Sequence, residues 1–67
     1  MKFSELTKPE LEEILKNANF TDEEEKIFLL ASKGKSLLEI SYRCSVSERT
    51  VNRKIKKIKE KIGKIGG

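Results

Sequence analysis

The stretch that decides the fold is SLLEISYRCSVSERTVNRKIKKIKEKI, residues 36–62, which indicates a short helix, a tight turn and a longer basic helix. Ser36 can cap the first helix, and Glu39 can reach back to it, so the two form a predicted capping box. Apolar residues then recur at helical spacing and form one stripe: Leu37, Ile40 and Cys44. This pattern predicts a short amphipathic helix over about residues 36–43.

The longer helix carries one narrow apolar face. Ser47 can cap its start, and we expect it to run over about residues 47–62. Its apolar residues step by four, three and four positions along one face: Val51, Ile55, Ile58 and Ile62. Gly63 follows directly and predicts the end of the helix, with a frayed tail behind it.

The polar face of this helix points away from the apolar stripe. At about 100° per residue, four side chains lie opposite it: Arg49, Arg53, Lys56 and Glu60. Asn52 lies on one flank, and Thr50 and Lys57 lie on the other. The major groove of DNA admits an α-helix, where Arg and Lys can bond guanine edges and Asn can bond adenine edges. Two helices joined by a short turn, the second presented outward, predict a helix-turn-helix motif.

Three motifs between Phe20 and Ile62 carry a family resemblance. The first is an apolar residue, Thr and a Glu-rich helix, FTDEEEKIFLLA at residues 20–31. The second, Gly-x-Ser followed by Glu-Ile, is matched at Gly34, Ser36, Glu39 and Ile40. The third, VSERTVN, is matched at Val46, Ser47, Thr50 and Val51. Through these motifs the chain resembles the DNA-binding domain of the LuxR/GerE family and, more loosely, region four of sigma-70-type factors.

The chain departs from the family pattern at several points. Ser41 stands where Ala is usual, Asn52 replaces the usual Lys, and Lys54 stands where His is common. We expect no counterpart, in residues 63–67, of the fourth helix that usually follows the recognition helix, and we expect an additional N-terminal helix instead. We expect the added helix to pack on the core in compensation or to provide a dimer surface.

The resemblance implies base contacts from Asn52, Arg53 and Lys56, and the helical wheel independently favours Arg49, Arg53 and Lys56. We therefore expect four base-contacting residues: Arg49, Asn52, Arg53 and Lys56. We expect phosphate contacts from seven further residues: Ser36, Ser47, Thr50, Lys54, Lys57, Lys35 and Arg43. Phosphate contacts fix the register on DNA without reading its sequence. For any one of these side chains, the alternative is a solvated surface group.

Two more helices precede the motif. Thr7 and Glu10 form a predicted capping box that starts a helix over about residues 8–17. Thr21 and Glu24 form another, which starts a helix over about residues 22–33. The chain is thus predicted to be one all-α domain, residues 1–67, with an extra N-terminal helix before a three-helix LuxR-like core.

Two turn positions carry specific backbone predictions. Gly34 follows the second helix and is expected to end it in the left-handed conformation. Ser45, in the turn of the helix-turn-helix, is expected to take a positive φ although it is not Gly.

Charge is distributed unevenly along the chain. Residues 1–32 contain four Lys and eight Asp or Glu, a net charge of −4, whereas residues 33–67 contain eleven Lys or Arg and three Glu, a net charge of +8. This asymmetry alone is as compatible with a solvated basic surface as with a polyanionic partner for the C-terminal half, and the spacing of the recognition helix favours the polyanionic partner.

Several function classes lack the residues that they need. The chain has no His, no zinc-ligand spacing and no phosphate-binding Gly-rich loop, so we expect no enzyme, no metal and no cofactor. Cys44 is the only cysteine, which favours a reducing compartment. The longest apolar run, Ile27 to Ala31, is too short to cross a bilayer, and the N-terminus lacks a signal-peptide core. We therefore expect a cytoplasmic protein with no membrane partner.

The sequence thus predicts a regulator that binds double-stranded DNA selectively, with residues 48–62 in the major groove and a homodimer as one way to read two half-sites. The competing hypothesis is a protein-interaction module, similar to sigma region four, that binds RNA polymerase or another regulator through the acidic N-terminal half. Exposed apolar side chains at Phe3, Leu6 or Leu15 would favour that alternative. A third hypothesis is a domain of a larger regulator.

Overall fold

Four α-helices form the domain. In the computed structural model, which describes residues 3–66, a short 3₁₀ turn at Phe3–Glu5 precedes α1 (Lys8–Asn17), α2 (Asp22–Ser32), α3 (Leu37–Cys44) and α4 (Glu48–Gly66). The residues described contain no strand. The predicted all-α class is therefore confirmed, and the starts of α1 and α2 lie at the predicted residues.

Side-chain caps start the helices. Thr7 and Glu10 form the complete capping box of α1, and Thr21 and Glu24 form that of α2, as predicted. Ser36 accepts a hydrogen bond from the Glu39 N–H at 3.2 Å, but the predicted return bond from the Glu39 carboxylate is not made. That carboxylate lies instead 3.3 Å from Arg43, one helical turn further on, because an opposite charge competes for it.

The turn between α3 and α4 has the predicted left-handed residue. Ser45 has φ 56° and ψ 39°, and the next N–H, that of Val46, donates to the Ser41 carbonyl at 3.1 Å. Gly34 also has a positive φ, 81°, as expected at the end of α2. Asn19 takes φ 55° between α1 and α2, where no positive φ was predicted, and Asn tolerates this conformation better than most residues.

The core lies where α4 packs against α2, α3 and α1. Five side chains at its centre are fully buried: Ile27 and Phe28 of α2, Ile40 of α3, and Val51 and Ile58 of α4. Two further rings contact Phe28, with centroid distances of 5.2 Å for Phe3 and 5.3 Å for Phe20. The predicted apolar stripe of α4 is confirmed, with Ile62 buried and Ile55 partly buried against the core.

The predicted end of α4 at Gly63 is wrong, because the helix continues to Gly66. A glycine ends a helix efficiently when it takes a left-handed conformation. Gly63 does not take one, so it costs the helix some stability without ending it. The predicted frayed tail is therefore helical at residues 63–66, and Gly67 lies outside the described residues.

An ion pair between a buried carboxylate and a partly exposed lysine joins the start of α2 to α4. Glu24 is 3% exposed, accepts the Thr21 N–H at 3.0 Å and meets the Lys61 ammonium at 2.5 Å. The Lys61 ammonium also lies 5.9 Å from the centre of the Phe20 ring. The hydrogen bond from Lys61, followed by that from the Thr21 backbone, lowers the pKa of Glu24.

We expect Glu24→Gln to lower the free energy of unfolding by about 1–2 kcal/mol near neutral pH. Gln keeps the capping bond to Thr21 and loses the charge that Lys61 contacts. Because the folded-state pKa is lowered, the charge stabilises the fold above the ordinary Glu pKa of about 4.3 and ceases to do so as the pH falls through the folded value. The difference between variant and wild type should therefore shrink in acid.

Urea denaturation followed by circular dichroism, near neutral pH and near pH 3, measures this difference. Glu10→Gln is the matched control, because Glu10 makes the same kind of capping box with Thr7 while remaining exposed. A loss for Glu24→Gln that equals the loss for Glu10→Gln, or that persists unchanged in acid, would contradict the role given to Lys61.

Candidate nucleic-acid interface

The outer face of α4 carries the four residues predicted to contact bases. All four side chains are exposed, and we call them the basic front: Arg49, Asn52, Arg53 and Lys56. The rotation of α4 is fixed by Val51 and Ile58, which are fully buried on the opposite side. Ser47 caps the helix start by accepting the Thr50 N–H at 3.2 Å. The basic front is therefore held outward by the core and by the cap.

The predicted contact residues differ in whether their charges are already paired. Among the described residues, no ion pair involves Arg49, Arg53, Lys56 or Lys57. Lys35 and Arg43, by contrast, flank the Glu39 carboxylate at 4.0 and 3.3 Å, and Lys54 lies 3.7 Å from Glu23. Arg49, Arg53, Lys56 and Lys57 are thus available to a polyanion, whereas Lys35, Arg43 and Lys54 already have acidic neighbours.

A shallow cleft on one flank of α4 brings predicted contact residues together. It has a volume of about 240 Å³ and is lined by Thr50, Arg53, Lys54 and Lys57. Three of these were predicted to contact phosphate, and Arg53 was predicted to contact a base. Three cations and a hydroxyl around one concavity form a chemically suitable place for a phosphate group.

The predicted serine contacts have local roles. Ser36 caps α3, and the Ser47 hydroxyl lies 3.0 Å from the Thr50 hydroxyl besides capping α4. Both serines are exposed, so their hydroxyl protons can still be donated to a phosphate oxygen.

Sequence reasoning missed two features beside α4. Leu38 and Tyr42 of α3 are 67% and 84% exposed, and a helical wheel could have found them because they lie off the Leu37–Ile40–Cys44 stripe. The contact between Glu23 and Lys54 joins residues 31 positions apart. No local pattern could have signalled it, since it depends on how α2 docks on α4.

Within residues 3–66, no three His, Cys, Asp or Glu side chains are grouped as metal ligands would be. Cys44 is a free, partly buried thiol packed against the core. Among the described helices, none combines the length and the apolar character that crossing a membrane would require.

The order of α3, a tight turn and an outward-facing basic α4 defines a helix-turn-helix domain. The family model for bacterial regulatory proteins of the LuxR family, GerE, matches residues 18–64, and the chain belongs to this family. The match begins just after α1 ends at Asn17. Comparison with curated proteins and with solved structures gave no match. Family membership confirms the predicted resemblance and indicates a DNA-binding regulatory domain.

Proposed function

We propose that this domain binds double-stranded DNA sequence-selectively and regulates transcription, with α4 in the major groove. The observation that carries the proposal is the basic front: four exposed side chains, three of them cations free of ion pairs within the described chain, opposite a buried stripe. A helix with this division of faces can turn its polar side toward base edges while its apolar side stays in the core.

The dimensions of the front suit the groove. An α-helix with its side chains is about 10–12 Å in diameter, which fits a major groove about 12 Å wide. Arg49 and Lys56 are seven residues apart and so span about 10.5 Å along the helix axis. Glu60 lies one turn beyond Lys56 on the same side and is exposed. Its negative charge ends the row of cations, which favours contact through the N-terminal half of α4.

Each side chain of the front has a chemically defined role in the proposal. Arg49 and Arg53 can bond guanine bidentately, Lys56 can donate to guanine acceptors, and Asn52 can bond adenine through its amide. Arg53 also lines the cleft with Lys57 and Thr50, so we expect it to lie between the base-contacting and the phosphate-contacting residues.

The backbone contacts would come from both sides of the front. Three residues would contact phosphates without breaking an ion pair: Lys57, Thr50 and Ser47. Three others would have to break an ion pair with an acidic neighbour first: Lys35, Arg43 and Lys54. Such exchanges contribute less affinity than contacts from unpaired cations.

A single domain of this size makes few base contacts, so we propose that two copies read half-sites about 34 Å apart, one helical turn of DNA. Two-fold pairing would double the number of contacts without changing the geometry of either domain. We propose that the two copies contact each other through the face of α1 that is turned away from the core.

The exposed apolar side chains that would have favoured the competing function, a protein-interaction module, are not found at the three predicted positions. Phe3 is buried in the core, and Leu6 and Leu15 pack against it, so none of the three offers an exposed apolar contact. The acidic face of the N-terminal half then has only its charge to attract a partner such as the transcription machinery.

Titrating a fluorescently labelled random-sequence duplex, with anisotropy as the readout, tests DNA binding itself. We expect binding at low salt that weakens steeply as salt rises, because cations of α4 displace counterions from phosphates. Folded protein that leaves the anisotropy unchanged at low salt would overturn the proposal and redirect attention to a protein partner.

We expect Arg53→Ala and Lys57→Ala to differ in kind, once a preferred site has been selected. Arg53→Ala should cost about 1–3 kcal/mol on the selected site and less on random DNA, because it removes base contacts. Lys57→Ala should weaken both duplexes alike and reduce the salt slope by about 0.9, because it removes one phosphate contact.

The two variants serve as controls for each other, since each removes one exposed cation from adjacent turns of α4. Competition anisotropy on selected and random duplexes measures the difference. Equal losses on the two duplexes for Arg53→Ala would refute its role in reading bases.

A further inference from the structure

The acidic start of α2 lies along one edge of α4. Glu23 and Glu24 are consecutive, and they meet Lys54 and Lys61, which are seven residues apart on α4. Seven residues make about two helical turns, so both lysines lie on the same edge of the helix. The first turn of α2 therefore covers this edge of α4 with two carboxylates.

The two ion pairs differ in how firmly they are held. Glu24 and Lys61 approach to 2.5 Å, and the Glu24 side chain is almost wholly buried. Glu23 and Lys54 are 3.7 Å apart, with 46% and 33% of their side chains exposed. The first pair belongs to the fold, whereas the second can be broken from solvent with little disturbance to the core.

Lys54 belongs to two arrangements at once. It lines the cleft together with Thr50, Arg53 and Lys57, and its ammonium faces the Glu23 carboxylate. A phosphate that enters the cleft would approach the same ammonium and would also meet the negative charge of Glu23. Both anions would draw on the single positive charge of Lys54, and Glu23 would repel the phosphate, so the carboxylate weakens the attraction between Lys54 and a phosphate.

We propose that Glu23 is a built-in competitor that occupies Lys54 in the free protein and lowers the affinity for the phosphate backbone of any duplex. The inference rests on the proposed function, since the competing ligand is a DNA phosphate. It assigns Glu23 an effect on affinity and salt dependence rather than on base selection, because the contacts it opposes carry no sequence information.

Glu23→Gln should therefore strengthen binding to a random-sequence duplex about two- to fivefold at low salt. The charge of Lys54 at the phosphate is then no longer partly compensated by Glu23, so the salt dependence should steepen by up to about 0.9 in the log–log slope, and the gain should fade as salt rises. The preference for a selected site over random DNA should stay unchanged.

Glu25→Gln is the matched control. It removes the same charge from the same turn of α2, but Glu25 is exposed and lies about 200° around the helix from Glu23. Lys54→Gln supplies the second test, because in that background Glu23→Gln should add no more than Glu25→Gln adds. Thermal unfolding by circular dichroism shows that each variant is folded.

Anisotropy titrations of a labelled random duplex over a series of salt concentrations measure all of these variants. A gain for Glu23→Gln that exceeds the gain for Glu25→Gln and disappears with Lys54→Gln supports the inference. Equal gains for Glu23→Gln and Glu25→Gln, with clear binding by the wild type, would overturn the inference and leave the proposed function standing. Absence of binding by every folded variant, wild type included, would overturn both.

Discussion

The burial of Val51 and Ile58 against α2 and α3 is the constraint on which the rest of the structure depends. These two side chains lie on one side of α4 and admit no solvent, so the helix cannot rotate about its axis without exposing them. Fixing that rotation turns the basic front outward. The residues that would touch DNA and the residues that hold the core are therefore two sides of one helix.

A second level of organisation is electrostatic. The polar surface of α4 divides into a front whose cations form no ion pair in the described chain and an edge where Lys54 and Lys61 face the carboxylates of α2. The acidic N-terminal half thus does more than reduce the net positive charge of the chain, because two of its carboxylates form ion pairs with lysines of α4. The Glu24 carboxylate is buried and stabilises the fold, whereas its neighbour Glu23 remains near the surface.

Local chemistry made much of this fold predictable. The capping boxes of α1 and α2 and the left-handed Ser45 each follow from residues within a few positions of one another, and the apolar period of α4 follows from a single helix. The errors arose where local signals competed with other contacts. The Glu39 carboxylate pairs with Arg43 instead of completing the capping box with Ser36, and Gly63 remains helical instead of ending α4. The approach of Glu23 to Lys54 needed the tertiary packing of α2 on α4, which no sequence spacing encodes.

The most direct test of the central claim is an NMR titration of backbone amide shifts with duplex DNA. If the core presents the N-terminal half of α4 to the groove, the largest shift changes will cluster over residues 47–57, with small changes in α1 at Lys8–Asn17. Changes concentrated in α1 and the start of α2, with residues 47–57 unaffected, would contradict the claim that α4 is the DNA-contacting helix.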